Sequence, residues 1–137
     1  MTHTQTASLA ALLLRLSMGI MLIAHGFYLK VFVFTMAGAS GFFSSIGLPG
    51  WFAWVVMFYE TIGGILMILG LFNRWNSLFQ GVSLLVAAYL GHGANGWLFS
   101  NTGGGWEFPV FWAIVFFALA LLGEGKYAVA LSDAARA

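Results

Sequence analysis

The sequence predicts an all-α protein: a membrane-embedded four-helix bundle with both termini on the cytoplasmic side. Three observations predict it. Of the 137 residues, 61% are hydrophobic and only 7% charged, whereas a soluble domain carries about 25% charged residues. The chain holds 14 Phe and 6 Trp, more apolar side chain than a compact soluble fold of this length can hide, so lipid is the expected solvent. Four apolar stretches also approach the ~20 residues that a hydrocarbon core of ~30 Å requires. Residues 1–137 are read as a single membrane domain.

The first span covers about 9–29. It is expected to be retained rather than cleaved, because Arg15 lies inside its apolar stretch and no basic segment precedes it. An outer loop over 30–50 follows, too polar and glycine-rich for a fifth span. Within it, residues 40–46 form either a short amphipathic helix on the outer surface or an ordered loop packed over the bundle. Gly47-Leu48-Pro49-Gly50 cannot continue a helix, so the second span starts afresh over 51–72. Asn73-Arg74 makes a polar turn into the third span, 77–96. The outer loop 97–106 contains the flexible run Asn101-Thr102-Gly103-Gly104-Gly105. The fourth span, 107–122, ends at Gly123-Glu124-Gly125-Lys126.

Orientation follows from the basic residues near the span ends. Arg74, Lys126, Arg136 and Arg15 fall on one side and Lys30 on the other. The expectation is a multi-pass protein of a bacterial cytoplasmic (inner) membrane, with Trp51, Trp97 and Trp106 near the outer interface, where indole rings are favoured.

Charges inside the spans need partners, because one at the centre of a lipid-embedded helix costs roughly 2.5–3.5 kcal/mol on insertion scales. Glu60 lies ~13 Å below Trp51 and Arg15 ~9 Å in from the cytoplasmic end. A buried Arg15–Glu60 ion pair is therefore expected, either locking the helices or leaving Glu60 as a proton-handling group. His25, His92, Asn95 (one turn after His92) and Glu107 are expected to converge beneath the outer surface. Ala53, Met57, Glu60, Gly63, Gly64 and Met67 share one helical face; Gly81, Leu85, Ala88, His92 and Asn95 share another. Gly63 and Gly64 permit close helix approach. Glu107 also has a structural role open to it, complementing the dipole of the last helix.

Other chemistries find no support. The absence of Cys excludes disulfides and thiolate ligands in this chain. Two histidines at helix ends without a ligand pattern predict no metal site. There is no basic patch for nucleic acid, no Walker A loop or serine elbow, and no haem, flavin or iron–sulfur motif.

Several blocks carry a family resemblance. They are Leu13-Leu14-Arg15-Leu16 with Ala24-His25-Gly26, and Gly41-Phe42-Phe43 with Ile46-Gly47-Leu48-Pro49-Gly50. Glu60 with Gly63-Gly64 is a third, and the stretch from Asn95-Gly96-Trp97 through Gly103-Gly104-Gly105-Trp106-Glu107-Phe108-Pro109 a fourth. Over roughly 9–130 the chain resembles the DoxX family of small bacterial integral membrane proteins. The resemblance implies association with membrane redox or thiol-stress systems; the family takes its name from a subunit of an archaeal thiosulfate:quinone oxidoreductase. The sequence departs from many members after His25, where Lys30 stands further from the histidine than their lysine does.

The resulting expectation is a membrane component of a redox system that binds a quinone-like molecule in the bundle. His25, His92 and Asn95 would donate hydrogen bonds and Glu60 or Glu107 would pass protons. Trp97, Trp106 and Phe27 would wall the ring. If the protein is catalytic, it is part of a quinone-linked oxidoreductase, with electrons supplied by a soluble or membrane oxidoreductase subunit. One alternative is a non-catalytic assembly or docking subunit using the small-residue face Ser83, Ala87, Gly91. Another is a small-molecule carrier centred on Arg15 and Glu60, which would require a homo-oligomer.

Overall fold

The computed structural model describes residues 1–129, and no strand occurs among them. Residues 130–137, including the Arg136 counted above for orientation and the Ala130 that closes the family resemblance, lie outside the described residues. Helix α1 (His3–Ile23) runs directly into a π-helical stretch (Ala24–Val33). Then come α2 (Thr35–Ser45), α3 (Phe52–Leu69), α4 (Asn73–His92) with a 3₁₀ turn (Gly93–Asn95), and α5 (Glu107–Leu122).

The first helix is longer at both ends than its apolar stretch. At the start, Thr2 and Gln5 form a reciprocal capping box: Gln5 N–H donates to Thr2 Oγ1, and Thr2 N–H to Gln5 Oε1. This satisfies orphan amides ahead of the first apolar residue. At the other end, i→i+5 bonding persists until Phe34 N–H donates to the Leu29 carbonyl at 2.8 Å. Thr35 then takes φ +62°, a left-handed conformation rare for a β-branched residue. Its hydroxyl accepts from Gly38 N–H at 3.2 Å, so the residue that breaks one helix caps the next. The region 30–50, expected as an outer loop, is thus largely helical. Its low apolarity misleads because α2 packs on α3 and the π-helical stretch through a few residues, such as the buried Ala39.

Glycine sets the α1–α3 contact. A Cβ on Gly64 would lie 2.6 Å from the Gly19 carbonyl oxygen, and one on Gly19 2.8 Å from that of Gly64. The two backbones touch where any side chain would part them. Gly64→Ala should therefore lower stability by about 1–3 kcal/mol, measured by denaturation in detergent. Gly41→Ala, where a Cβ meets nothing within 4 Å, should be neutral or slightly stabilising. Helix α3 ends at Gly70, φ +77°, with Leu71 N–H returning to the Leu66 carbonyl at 2.9 Å, the glycine-dependent six-to-one closure.

Helix α4 starts at Asn73, so the expected polar turn at Asn73-Arg74 is its first turn. Asn73, Ser77 and Gln80 are buried along one face. Asn73 Nδ2 donates to the Gly123 carbonyl at 2.6 Å, and neighbouring Asn76 Nδ2 to the Gly63 carbonyl at 2.7 Å. Those polar residues dilute the apolarity of α4. Among the described residues, two helical segments are long and apolar enough to cross a membrane, His3–Val33 and Phe52–Leu69; Glu107–Leu122 is apolar but shorter.

Helix α4 packs on α5 and α3, and α1 on α3 and α5. Met18, Leu22, Met67, Trp112, Phe116 and Leu119 form the core. Arg15 is 1% exposed, whereas Phe58, Ile62, Phe79 and Ile114 are each more than half exposed. Charge inside and large apolar side chains outside is the reverse of a water-soluble pattern.

Candidate functional site

The two buried charges that the sequence singles out do not meet. Arg15 Nη1 donates to the Glu124 carbonyl, and Nη2 to the Lys126 carbonyl at 3.2 Å. A Cβ on Gly70 would fall 2.6 Å from Arg15 Nη1, so Arg15 sits level with the end of α3. Glu60 packs against Gly26, where a Cβ would lie 2.7 Å from its own. Gly26 is about eleven residues beyond Arg15, ~16 Å along the helix, more than an arginine side chain spans. The expected Arg15–Glu60 pair is therefore replaced by another: Lys30 Nζ lies 2.6 Å from Glu60 Oε2, with both side chains less than a fifth exposed. Lys30 Nζ also donates to the His25 carbonyl at 3.0 Å. Sequence reasoning assigned Lys30 to the outer loop. The signal it carried was a lone basic residue just past the first apolar stretch, at a height where Glu60 needs a cation.

Beside this pair lies a cavity of about 540 Å³ between α2, α3 and α4, within the range of small-molecule sites. Near their connecting turn α3 and α4 are tied by the Asn76–Gly63 bond. Further along they leave room, because α4 presents Ser83, Ala87 and Gly91 to the space. Phe42 and Phe43 of α2 cover it. Tyr59, Glu60, Gln80, Ser83 and His92 supply the polar lining, and the other lining residues are almost all apolar. A flat apolar molecule with hydrogen-bonding groups suits such a wall.

Of the expected site residues, Glu60 and His92 share this cavity. His25 stands apart, its ring edge-on to Trp112 at 4.8 Å. Phe27 packs against Phe32 at 5.5 Å. Asn95, Trp97, Trp106 and Glu107 build the 96–106 loop instead. Asn95 Nδ2 donates to the Gly103 and Gly104 carbonyls at 3.0 and 2.9 Å. Glu107 Oε1 accepts from Phe99 N–H at 2.9 Å. The Trp97 and Trp106 rings meet edge to face at 4.5 Å. Trp106 also borders an open groove of about 620 Å³ beside Leu85, Tyr89 and Val110. His92 joins loop and cavity: its Nδ1 lies 2.9 Å from the Gly104 carbonyl oxygen. A carbonyl only accepts, so Nδ1 donates this bond. The glycine-rich run expected to be flexible is therefore pinned from both sides. Among the described residues, no three His, Asp or Glu side chains stand close enough to hold a metal ion.

The sequence model described as DoxX matches residues 10–93, the segment that contains Lys30, Glu60, His92 and the whole cavity lining. A Bacillus subtilis (strain 168) protein named "Putative oxidoreductase CatD" is 44% identical over 66 residues, 48% of this chain and 47% of that protein. The chain thus spans about half the length of the curated relative it matches. No solved structure matches it.

Proposed function

The chain belongs to the DoxX family of membrane proteins, and from that premise we propose that it is the membrane component of a redox system, holding a quinone-like ring in the cavity between α2, α3 and α4. The observation that carries this reading is the cavity itself. Apolar walls enclose the Tyr59 hydroxyl and the Gln80 amide as hydrogen-bond donors, with the Ser83 hydroxyl committed to the Gln80 carbonyl at 2.9 Å and the Glu60 carboxylate beside them. A bound quinone would supply the electron-accepting chemistry. Tyr59 and Gln80 would orient its carbonyl oxygens, and Glu60 would hold a proton near them. Electrons would come from an oxidoreductase partner, in keeping with the name of the relative.

The same reading places α1 with its π-helical stretch, α3, α4 and α5 across the inner membrane as a four-helix bundle. Helix α3, with its 18 residues from Phe52 to Leu69, rises ~27 Å, close to a hydrocarbon core of ~30 Å. Trp75 and Tyr127 are exposed at the Phe72 end, and Trp51, Trp54 and Trp97 at the other, as two interfacial aromatic belts would be. Arg74 and Lys126 mark the former end as cytoplasmic. The small residues Ser83, Ala87 and Gly91, which the docking alternative would use, line the cavity instead. The carrier alternative loses its centre with the Arg15–Glu60 pair.

The protein extracted in native-lipid nanodiscs should carry a quinone in stoichiometric amount, identified by solvent extraction and ultraviolet absorbance. Ser83→Phe, which puts a ring into the polar end of the cavity, should reduce occupancy about tenfold, equivalent to ~1.4 kcal/mol. Folded protein with no quinone, or with occupancy indifferent to Ser83→Phe, would overturn the proposal.

A further inference from the structure

The cavity lining has two zones. Its inner part is the more enclosed: Leu22 and Gln80 are each 1% exposed, and Tyr59, Glu60 and Ser83 are half-buried beside them. Its outer part belongs to the apolar exterior of α3 and α4. Val55, Phe79, Val82 and Val86 line the cavity and are each about half exposed. Toward the end where the 96–106 loop lies, α2 closes the space with Phe42, Phe43 and Ile46. The loop beside it is pinned through His92, Asn95 and Glu107. The cavity is thus roofed at the aqueous end and open sideways.

We infer that the occupant reaches this cavity laterally from the bilayer, between α3 and α4, and is a tailed amphiphile dissolved in lipid rather than a water-borne ring. The inference rests on the proposed quinone-like site and adds its substrate class and route. A polar head finds its cluster of partners at the enclosed end, beside Tyr59, Glu60, Gln80 and Ser83, with His92 the one polar lining residue at the roofed end. A chain leaving the cavity passes only valine and phenylalanine, side chains that satisfy hydrocarbon and nothing else. Ser83, Ala87 and Gly91 keep the gap wide. A Cβ on Gly91 would meet Phe42 Cζ at 3.5 Å, ordinary contact, so the opening is set by side-chain volume rather than by backbone conformation. Ala87 is then the residue whose enlargement closes the route while leaving the polar end intact.

The test uses the full chain in lipid nanodiscs and a quinone whose alkyl tail carries a diazirine. After illumination, adducts are mapped by mass spectrometry. The expected adducts fall on Val55, Val82 or Val86, and excess unlabelled tailed quinone suppresses them about tenfold. Ala87→Trp should lower them by a similar factor with helix content unchanged; Ala87→Leu serves if the larger residue prevents folding. Competed adducts on α2 or the 96–106 loop, with the valines clean, would overturn the lateral route and leave the quinone site standing. No competed adduct anywhere would remove the site and the route together.

Discussion

Arg15→Met should lower the free energy of unfolding by about 3–5 kcal/mol and expose the segment after α5 to protease. Two charge-assisted bonds are lost, to the Glu124 and Lys126 carbonyls, and such bonds contribute roughly 1.5–3 kcal/mol each. Methionine fills much the same stem volume and is flexible enough to pack, so little of the loss is cavity. Relief of guanidinium desolvation works in the opposite direction. It does not cancel the loss, because two carbonyl oxygens then stay at a site where Arg15 is 1% exposed. Arg15→Lys should fall between, since an ammonium is a point donor that does not reproduce the two-armed fork. Denaturation in detergent gives the energy; limited proteolysis after Gly123 gives the location. The backbone bonds from Lys126 N–H to Ser8 and from Val129 N–H to Leu69 remain in every variant. Unchanged proteolysis of Arg15→Met would mean that those two bonds hold the segment unaided.

The all-helical character, and the face of α3 that turns inward, were legible because apolar periodicity on a single helix is a local property. Ala53, Met57, Gly63, Gly64 and Met67 are buried together on α3. Axial register between helices was not legible. It depends on how far α1 projects beyond α3, and that is fixed by the Gly19–Gly64 contact and by the capping box at Thr2. Counting residues from assumed span ends puts Arg15 and Glu60 close in height, whereas Glu60 lies level with Gly26, ~16 Å along the helix from Arg15. The burial of Asn73 was equally hidden, because its partner is a backbone carbonyl 50 positions away. In the candidate site, Glu60 and His92 stood out as polar residues in apolar surroundings. Tyr59, Gln80 and Ser83 did not, since nothing in α3 or α4 alone indicates that α2 folds over them. The π-helical stretch left no periodic trace, because only ten residues adopt it. Such bulges frequently accompany functional sites, and this one places Lys30 on Glu60.

Lys30→Met should cost about 3–5 kcal/mol, the usual penalty for removing one partner of a buried pair. The double variant Lys30→Met, Glu60→Met should recover most of that. The reason is asymmetric. With Lys30 gone, the Glu60 carboxylate, whose side chain is 18% exposed, loses the cation paired with it. With both gone, two methionines fill a region already rich in apolar side chains, and replacing a buried pair by hydrophobic residues is often neutral. Both partners are 15–18% exposed, so screening by salt is weak and the loss should persist at high ionic strength. A charge swap, Lys30→Glu with Glu60→Lys, should recover less, because the new lysine no longer reaches the His25 carbonyl that Lys30 binds at 3.0 Å. Denaturation of the wild type, both single variants and the double variant in one detergent gives the coupling energy directly. Quinone occupancy in the same four proteins separates the two roles of Glu60. Lys30→Met should keep part of the occupancy because the carboxylate remains; the double variant should lose it although its stability returns. If occupancy instead rises and falls with stability alone, Glu60 is a structural anchor, and the polar end of the cavity is Tyr59, Ser83 and Gln80.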